Sequence, residues 1–152
     1  MKRVVVLLLV LITVIGALPY GVYAANQVGD PDIIWLEDGS YIEVLIETSP
    51  ARVANTVTGS KKLTYRNSGG DALWQAKLTA TFAYSGAWYT CATANCTVTI
   101  YDSHWYEVSN STIRSSNHAK TYLTMGRKHL GVTVQELDCT IELTCDINGN
   151  LS

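Results

Sequence analysis

From Trp74 to Phe82 apolar and polar residues alternate without a break. Trp74, Ala76, Leu78, Ala80 and Phe82 fall on one face, and Gln75, Lys77, Thr79 and Thr81 on the other. A period of two over nine residues is the geometry of an extended strand with one face on a core and one toward water. The pattern recurs near the end of the chain, where Leu137, Cys139, Ile141, Leu143 and Cys145 alternate. Shorter apolar runs at 33–36, 41–46, 61–66, 97–101, 105–108, 119–125 and 132–134 read as further strands. Turn chemistry separates them: Asp38-Gly39, the stretch Asn67-Ser68-Gly69-Gly70-Asp71, Ser85-Gly86, and the segment from Gly126 to Gly131. Ser49 to Gly59 reads as a polar connector around Pro50, and Asn110 to Asn117 as a Ser-rich loop. The alternation changes phase between Val134 and Leu137, which predicts a bulge near Gln135-Glu136. Outside the first residues no stretch keeps the i, i+3, i+4, i+7 spacing of a helix. The expected fold is all-β: one antiparallel β-sandwich, immunoglobulin-like in architecture, spanning 33–152.

The N-terminus is of another kind. Residues 4–15 hold eleven aliphatics and one Thr behind Lys2 and Arg3. The run is too short for the ~20 residues a bilayer span needs, and Val22 and Ala24 stand at −3 and −1 of a small-residue cleavage site. Residues 1–24 are read as a signal peptide and 25–32 as a mobile leader. Removing 24 of 152 residues leaves 128, and takes two of the eleven basic residues with it. Nine then face thirteen acids, a net charge of about −4. That balance argues against nucleic acid as a partner. No later stretch is apolar for as long, so no membrane contact is expected after cleavage. Sixteen Thr and eleven Ser in the mature part suit pleated surfaces. The expected location is extracellular, by free secretion.

An exported chain with four cysteines, Cys91, Cys96, Cys139 and Cys145, is expected to hold two disulfides. Cys139 and Cys145 lie in one alternating run whose ends, if extended, are roughly 20 Å apart. That disfavours Cys139–Cys145, and with it Cys91–Cys96. Two connectivities remain. The nested one, Cys91–Cys145 with Cys96–Cys139, has nearly equal index sums, 236 and 235, as antiparallel neighbours produce. Its one-residue mismatch needs a bulge or turn within Ala92-Thr93-Ala94-Asn95. Gaps of four and five residues miss the tighter zinc-finger spacing, so no metal site is expected.

Catalytic patterns are lacking. His104, His118 and His129 share no metal spacing. Asp102-Ser103-His104 has the residue types of a hydrolytic triad, but consecutive side chains diverge where a triad must converge. Acid pairs such as Glu37/Asp38 and Glu136/Asp138 read as solvated strand edges rather than a glycosidase pair. No catalytic residue, cofactor or enzymatic activity is expected. The aromatic dipeptides Trp88-Tyr89 and Trp105-Tyr106 are the candidate binding residues: in an extended chain each puts one ring inward and one outward. Asn95, Asn110 and Asn150 fit the glycosylation sequon.

The ordered set Gly59-Ser60-Lys61, Tyr65, Ala72-Leu73-Trp74, the run Leu78 to Gly86, Cys91, Tyr101 to Trp105, and the ending Cys145-Asp146-Ile147-Asn148-Gly149-Asn150-Leu151-Ser152 resembles a family of short secreted proteins of Gram-positive, chiefly clostridial, bacteria. It is a domain-of-unknown-function family, and the resemblance covers roughly 33–152. It implies pairing of Cys91 with Cys145, treats Cys96 and Cys139 as additions, and carries no activity. The functional expectation is a secreted, non-catalytic module that binds a surface, a glycan or an extracellular protein. A bacteriocin-like effector is the second reading, and a small hydrolase the third.

Overall fold

The computed structural model describes residues 27–49 and 55–152; the expected signal peptide, residues 25–26 and Pro50 lie outside them. Nine strands follow one another and, among the described residues, no helix: β1 (Gln27–Val28), β2 (Asp32–Trp35), β3 (Tyr41–Ser49), β4 (Thr56–Arg66), β5 (Ala72–Tyr84), β6 (Tyr89–Ile100), β7 (Trp105–Arg114), β8 (His118–His129) and β9 (Val132–Thr144). The large antiparallel sheet runs β1-β3-β4-β5-β6, with β2 sharing the β3 edge beside β1, and the small one runs β7-β8-β9. The all-β expectation with two antiparallel sheets holds. The connectivity differs from an immunoglobulin-like one. Each sheet is filled by sequential strands, whereas an immunoglobulin-type sandwich passes strands between its sheets by Greek-key connections.

The turns form where the residue chemistry demands them. Asp38 accepts the Ser40 amide at 3.0 Å while Gly39 takes φ 81°, closing β2 onto β3. Asn67 Oδ1 accepts the amides of Gly69 and Asp71, both at 2.9 Å. Leu130 and Gly131 both have positive φ, 51° and 81°, the twist a two-residue hairpin between β8 and β9 requires. Strand pairing begins at Gln27, inside the segment expected as a leader. Four expected boundaries move. Much of the polar connector belongs to β3 and β4, β6 starts at Tyr89, β7 runs to Arg114, and Gly126 lies within β8. Four irregularities interrupt the ladders: Leu73 is unmatched opposite Tyr65/Arg66, Val108 within β7, Ala92 opposite Thr81/Phe82, within the expected stretch, and Val134 opposite Arg127/Lys128, beside the expected Gln135.

The core lies between the sheets. Trp74, Ala76, Leu78, Ala80 and Phe82 of β5 are all at most 1% exposed. They meet Ala119, Leu123 and Met125 of β8 and Ile141 and Leu143 of β9, all equally buried. At one end of β5, Trp74 packs with Tyr65 and Trp105, ring centroids 5.5 and 6.2 Å away. β6 packs over β7 and β8, and β9 over β4 and β5.

That arrangement corrects the disulfide expectation. β6 and β9 are not neighbours in one ladder, as the equal index sums supposed, but belong to different sheets, and neither Cys91–Cys145 nor Cys96–Cys139 is bonded. All four cysteines are free thiols, buried in the interior. Cys96 has Thr121 of β8 as its hydrogen-bonding neighbour, and Cys139 sits in register with Leu123. Cys91 and Cys145 lie within electrostatic reach of each other, each with its Sγ on a backbone carbonyl, Thr93 O at 3.4 Å and Asp146 O at 3.3 Å. Burial raises all four thiols, Cys139 to about 11, so they stay protonated.

Candidate functional site

The two sheets differ in width, and the mismatch falls on one side. Along β6 and β7 the sandwich is tied shut: Asn110 on β7 donates to Cys96 O at 3.4 Å, and Arg114 donates to Ala92 O. On the other side β9 is the last strand of its sheet, while the large sheet continues past it to β3. The inner face of β3 is therefore half covered, and a cleft of about 550 Å³ opens there. Its floor is Val44 and Ile46 of β3 with Lys61 and Leu63 of β4. One wall is the β9 edge at Thr140 and Glu142, and the other is Gly29 to Ile34. Leu151 packs over Gly59, the neighbour of Lys61 on the same inward row, where a Cβ would stand 2.1 Å from the leucine Cδ1. The volume is that of a small-ligand or short-peptide site.

Lys61 is the anomaly in this floor. It falls on the inward row of β4 between Gly59 and Leu63, level with Ile46 on β3 and Leu78 on β5. Among the described residues its ammonium makes no ion pair. Across the cleft Glu142 is bound to Lys120 at 2.8 Å. That bond, with the charges of Lys120, His118 and Lys61 behind it, holds the Glu142 carboxyl below its ordinary value. Asp30 and Asp32 are exposed on the opposite wall. The site thus has an apolar floor, one inward cation and an acidic rim.

The aromatic candidates do not form one platform. Trp105 is 3% exposed and belongs to the Tyr65–Trp74 cluster. Tyr106 faces outward but lies flat on Gly126, with its hydroxyl on Thr133 at 2.7 Å and Lys128 Nζ 4.3 Å from its ring centre. This pair obeys the one-in, one-out rule. Trp88 and Tyr89 do not: they are 53% and 36% exposed, because Trp88 sits in the turn before β6, where Ser85 N donates to its carbonyl. They mark the far end of β5, against the C-terminal loop. Tyr89 lines a second hollow there of about 400 Å³ with Asn117, Asp146 and Asn150. The Asp146 carboxylate is already taken by the amides of Asn148 and Asn150 and the Asn150 side chain.

The Asp102–His104 pair is real, Oδ1 to Nδ1 at 2.6 Å, yet exposed Ser103 hydrogen-bonds to neither. Sequence reasoning missed a different serine. Buried Ser40 is bonded to Asp38 and receives the Tyr65 hydroxyl at 3.1 Å; the Asp-Gly-Ser turn was its signal. Among the described residues no histidine bonds to Ser40, and no three His, Cys, Asp or Glu side chains converge to hold a metal ion. Of the sequon asparagines, Asn110 and Asn150 spend their side chains on internal hydrogen bonds, while Asn95 is exposed on β6. No family model matches the chain, and no curated protein and no solved structure matches it either.

Proposed function

We propose that the protein is a non-catalytic binding module that works outside the cell once residues 1–24 are removed, and that the inter-sheet cleft is its binding site. One observation carries the reading: an apolar floor left half open by the width mismatch, with an inward lysine set into it. A lone charge on a core row lowers stability, and such exceptions concentrate at functional sites. The basic, apolar N-terminus and the resemblance to a secreted clostridial family support the extracellular setting. The ligand is a protein, glycan or surface component with an apolar portion that reaches the floor.

The test is capture on glycan and protein arrays by wild type, a cleft-filling Val44→Trp and the end-on Trp88→Ala. Near-ultraviolet circular dichroism confirms that each is folded. Val44→Trp is expected to lose capture and Trp88→Ala to keep it. The opposite result moves the site to the Trp88–Tyr89 end, and capture unchanged in both variants removes both sites.

A further inference from the structure

The wall of the cleft is itself a strand with a free edge, and the chain has already begun to use it. Leu151 bridges Cys145 in antiparallel sense, and Ser152 exchanges both backbone hydrogen bonds with Thr144, at 2.9 and 3.1 Å. A fourth rank beside β9 is thus started at its C-terminal end. The bonds also fix the phase of the edge. N–H and C=O of one residue point the same way and alternate along a strand, so with Thr144 facing outward, Glu142, Thr140, Asp138 and Glu136 face outward too. Among the described residues nothing pairs with these four. β9 has no proline, and an edge this long is a template for another strand.

We infer that an extended segment of a partner protein, with apolar and basic residues alternating, adds antiparallel to the β9 edge at Glu136–Glu142 and fills the cleft. This rests on the reading of the cleft as the binding site. A strand there has one row of side chains over Val44, Ile46 and Leu63 of the half-covered floor, where the inward Lys61 favours apolar over basic residues in that row. Its other row stands beside the outer-face acids of β9, Glu136, Asp138 and Glu142, with Asp30 and Asp32 on the facing wall. Opposite charges across strands stabilise and like charges repel, so basic residues suit that row. The same acids disfavour a second copy, since antiparallel β9–β9 pairing faces carboxylate with carboxylate.

The test uses a labelled peptide of about eight alternating lysine and valine residues, the ~26 Å needed to follow Glu136–Leu143 at ~3.3 Å per residue, with fluorescence anisotropy on the full chain. Two sister peptides replace lysine by glutamate, or N-methylate every second residue to remove donors. Thr140→Pro is the variant of choice: its N–H faces away from β8, so proline removes a docking donor and no bond of the native ladder. Affinity is expected to fall at least tenfold for either sister peptide, and at least tenfold for Thr140→Pro, which still takes up the dye 8-anilinonaphthalene-1-sulfonate as wild type does. Unchanged affinity for the N-methylated peptide or for Thr140→Pro overturns strand addition. If no peptide binds while the dye is taken up by wild type and refused by Val44→Trp, strand addition fails and the cleft stands; dye uptake equal in both fails the cleft as well. A dimer in sedimentation that Thr140→Pro dissociates makes the occupant a second copy, and overturns the partner.

Discussion

Tyr106 lies across the small sheet because residue 126 has no side chain. A Cβ at Gly126 would stand 2.5 to 2.7 Å from the ring and hydroxyl of Tyr106, nearer than carbon atoms approach in packed proteins. Gly126→Ala must lift the ring, breaking the 2.7 Å bond to Thr133 and the Lys128 contact together. A loss of about 1–3 kcal/mol is expected, read as a lower denaturant midpoint at constant slope. The same logic separates the four aromatic candidates. Residue type marked them all as rings able to stack; neighbours decide which are free. Trp105 is spent in the core and Tyr106 on Gly126, leaving Trp88 and Tyr89, and none of this is visible in a dipeptide.

Strands carry their own electrostatics. On the outer face of the large sheet the Glu47 carboxylate of β3 receives Lys77 of β5 at 2.9 Å, Lys62 of β4 at 3.1 Å and the Ser60 hydroxyl at 3.2 Å, lacing three strands together. The bonds from Lys77 and Lys62 draw its pKa from 4.5 down to about 2. A carboxyl depressed in the folded state stabilises it above its ordinary value, and that contribution is lost as pH falls from about 4.5 toward 2. After screening of a partly exposed cluster it is worth about 1–2 kcal/mol. Glu47→Gln is expected to lower stability by that amount at pH 7 and by much less at pH 2, where the folded-state carboxyl is about half protonated, measured by urea unfolding at both; equal losses at both sink the assignment. Legibility also varied by strand. β5 and the C-terminal part of β9 were plain because each sets an unbroken apolar row on a core. The alternation of β4 shows only from 61 onward because Gly59 and Lys61 occupy its inward row, which gives 56–60 the composition of a connector. β6 was truncated because its inward residues, Cys91, Ala94, Cys96 and Val98, are small or weakly apolar and the Ala92 bulge breaks their rhythm. Of the features that hid β4, the inward charge of Lys61 lies in the floor of the cleft and the missing side chain of Gly59 makes room for Leu151.

At the scale of the whole molecule, cysteine count alone suggested staples, and packing assigns the thiols another part. They are filler in the interior, held neutral by burial, and protonated thiols are poor nucleophiles. Mass spectrometry after alkylation without reductant is expected to find four modified cysteines in unfolded protein and slow modification in the folded one; a bridged peptide would contradict the free thiols. Which sheet lies over which, and hence which flank stays open, depends on how two sheets of unequal width are set against each other, and no local pattern encodes that. The order of the sheets along the chain also governs how the molecule comes into being. Every strand of the large sheet precedes every strand of the small one. A chain leaving a ribosome or a translocon N-terminus first therefore completes 27–100 while its cover is still to come. Until residues 105–144 arrive, Trp74, Leu78 and Phe82 stand bare, and the newborn chain spends that interval in its most adhesive condition.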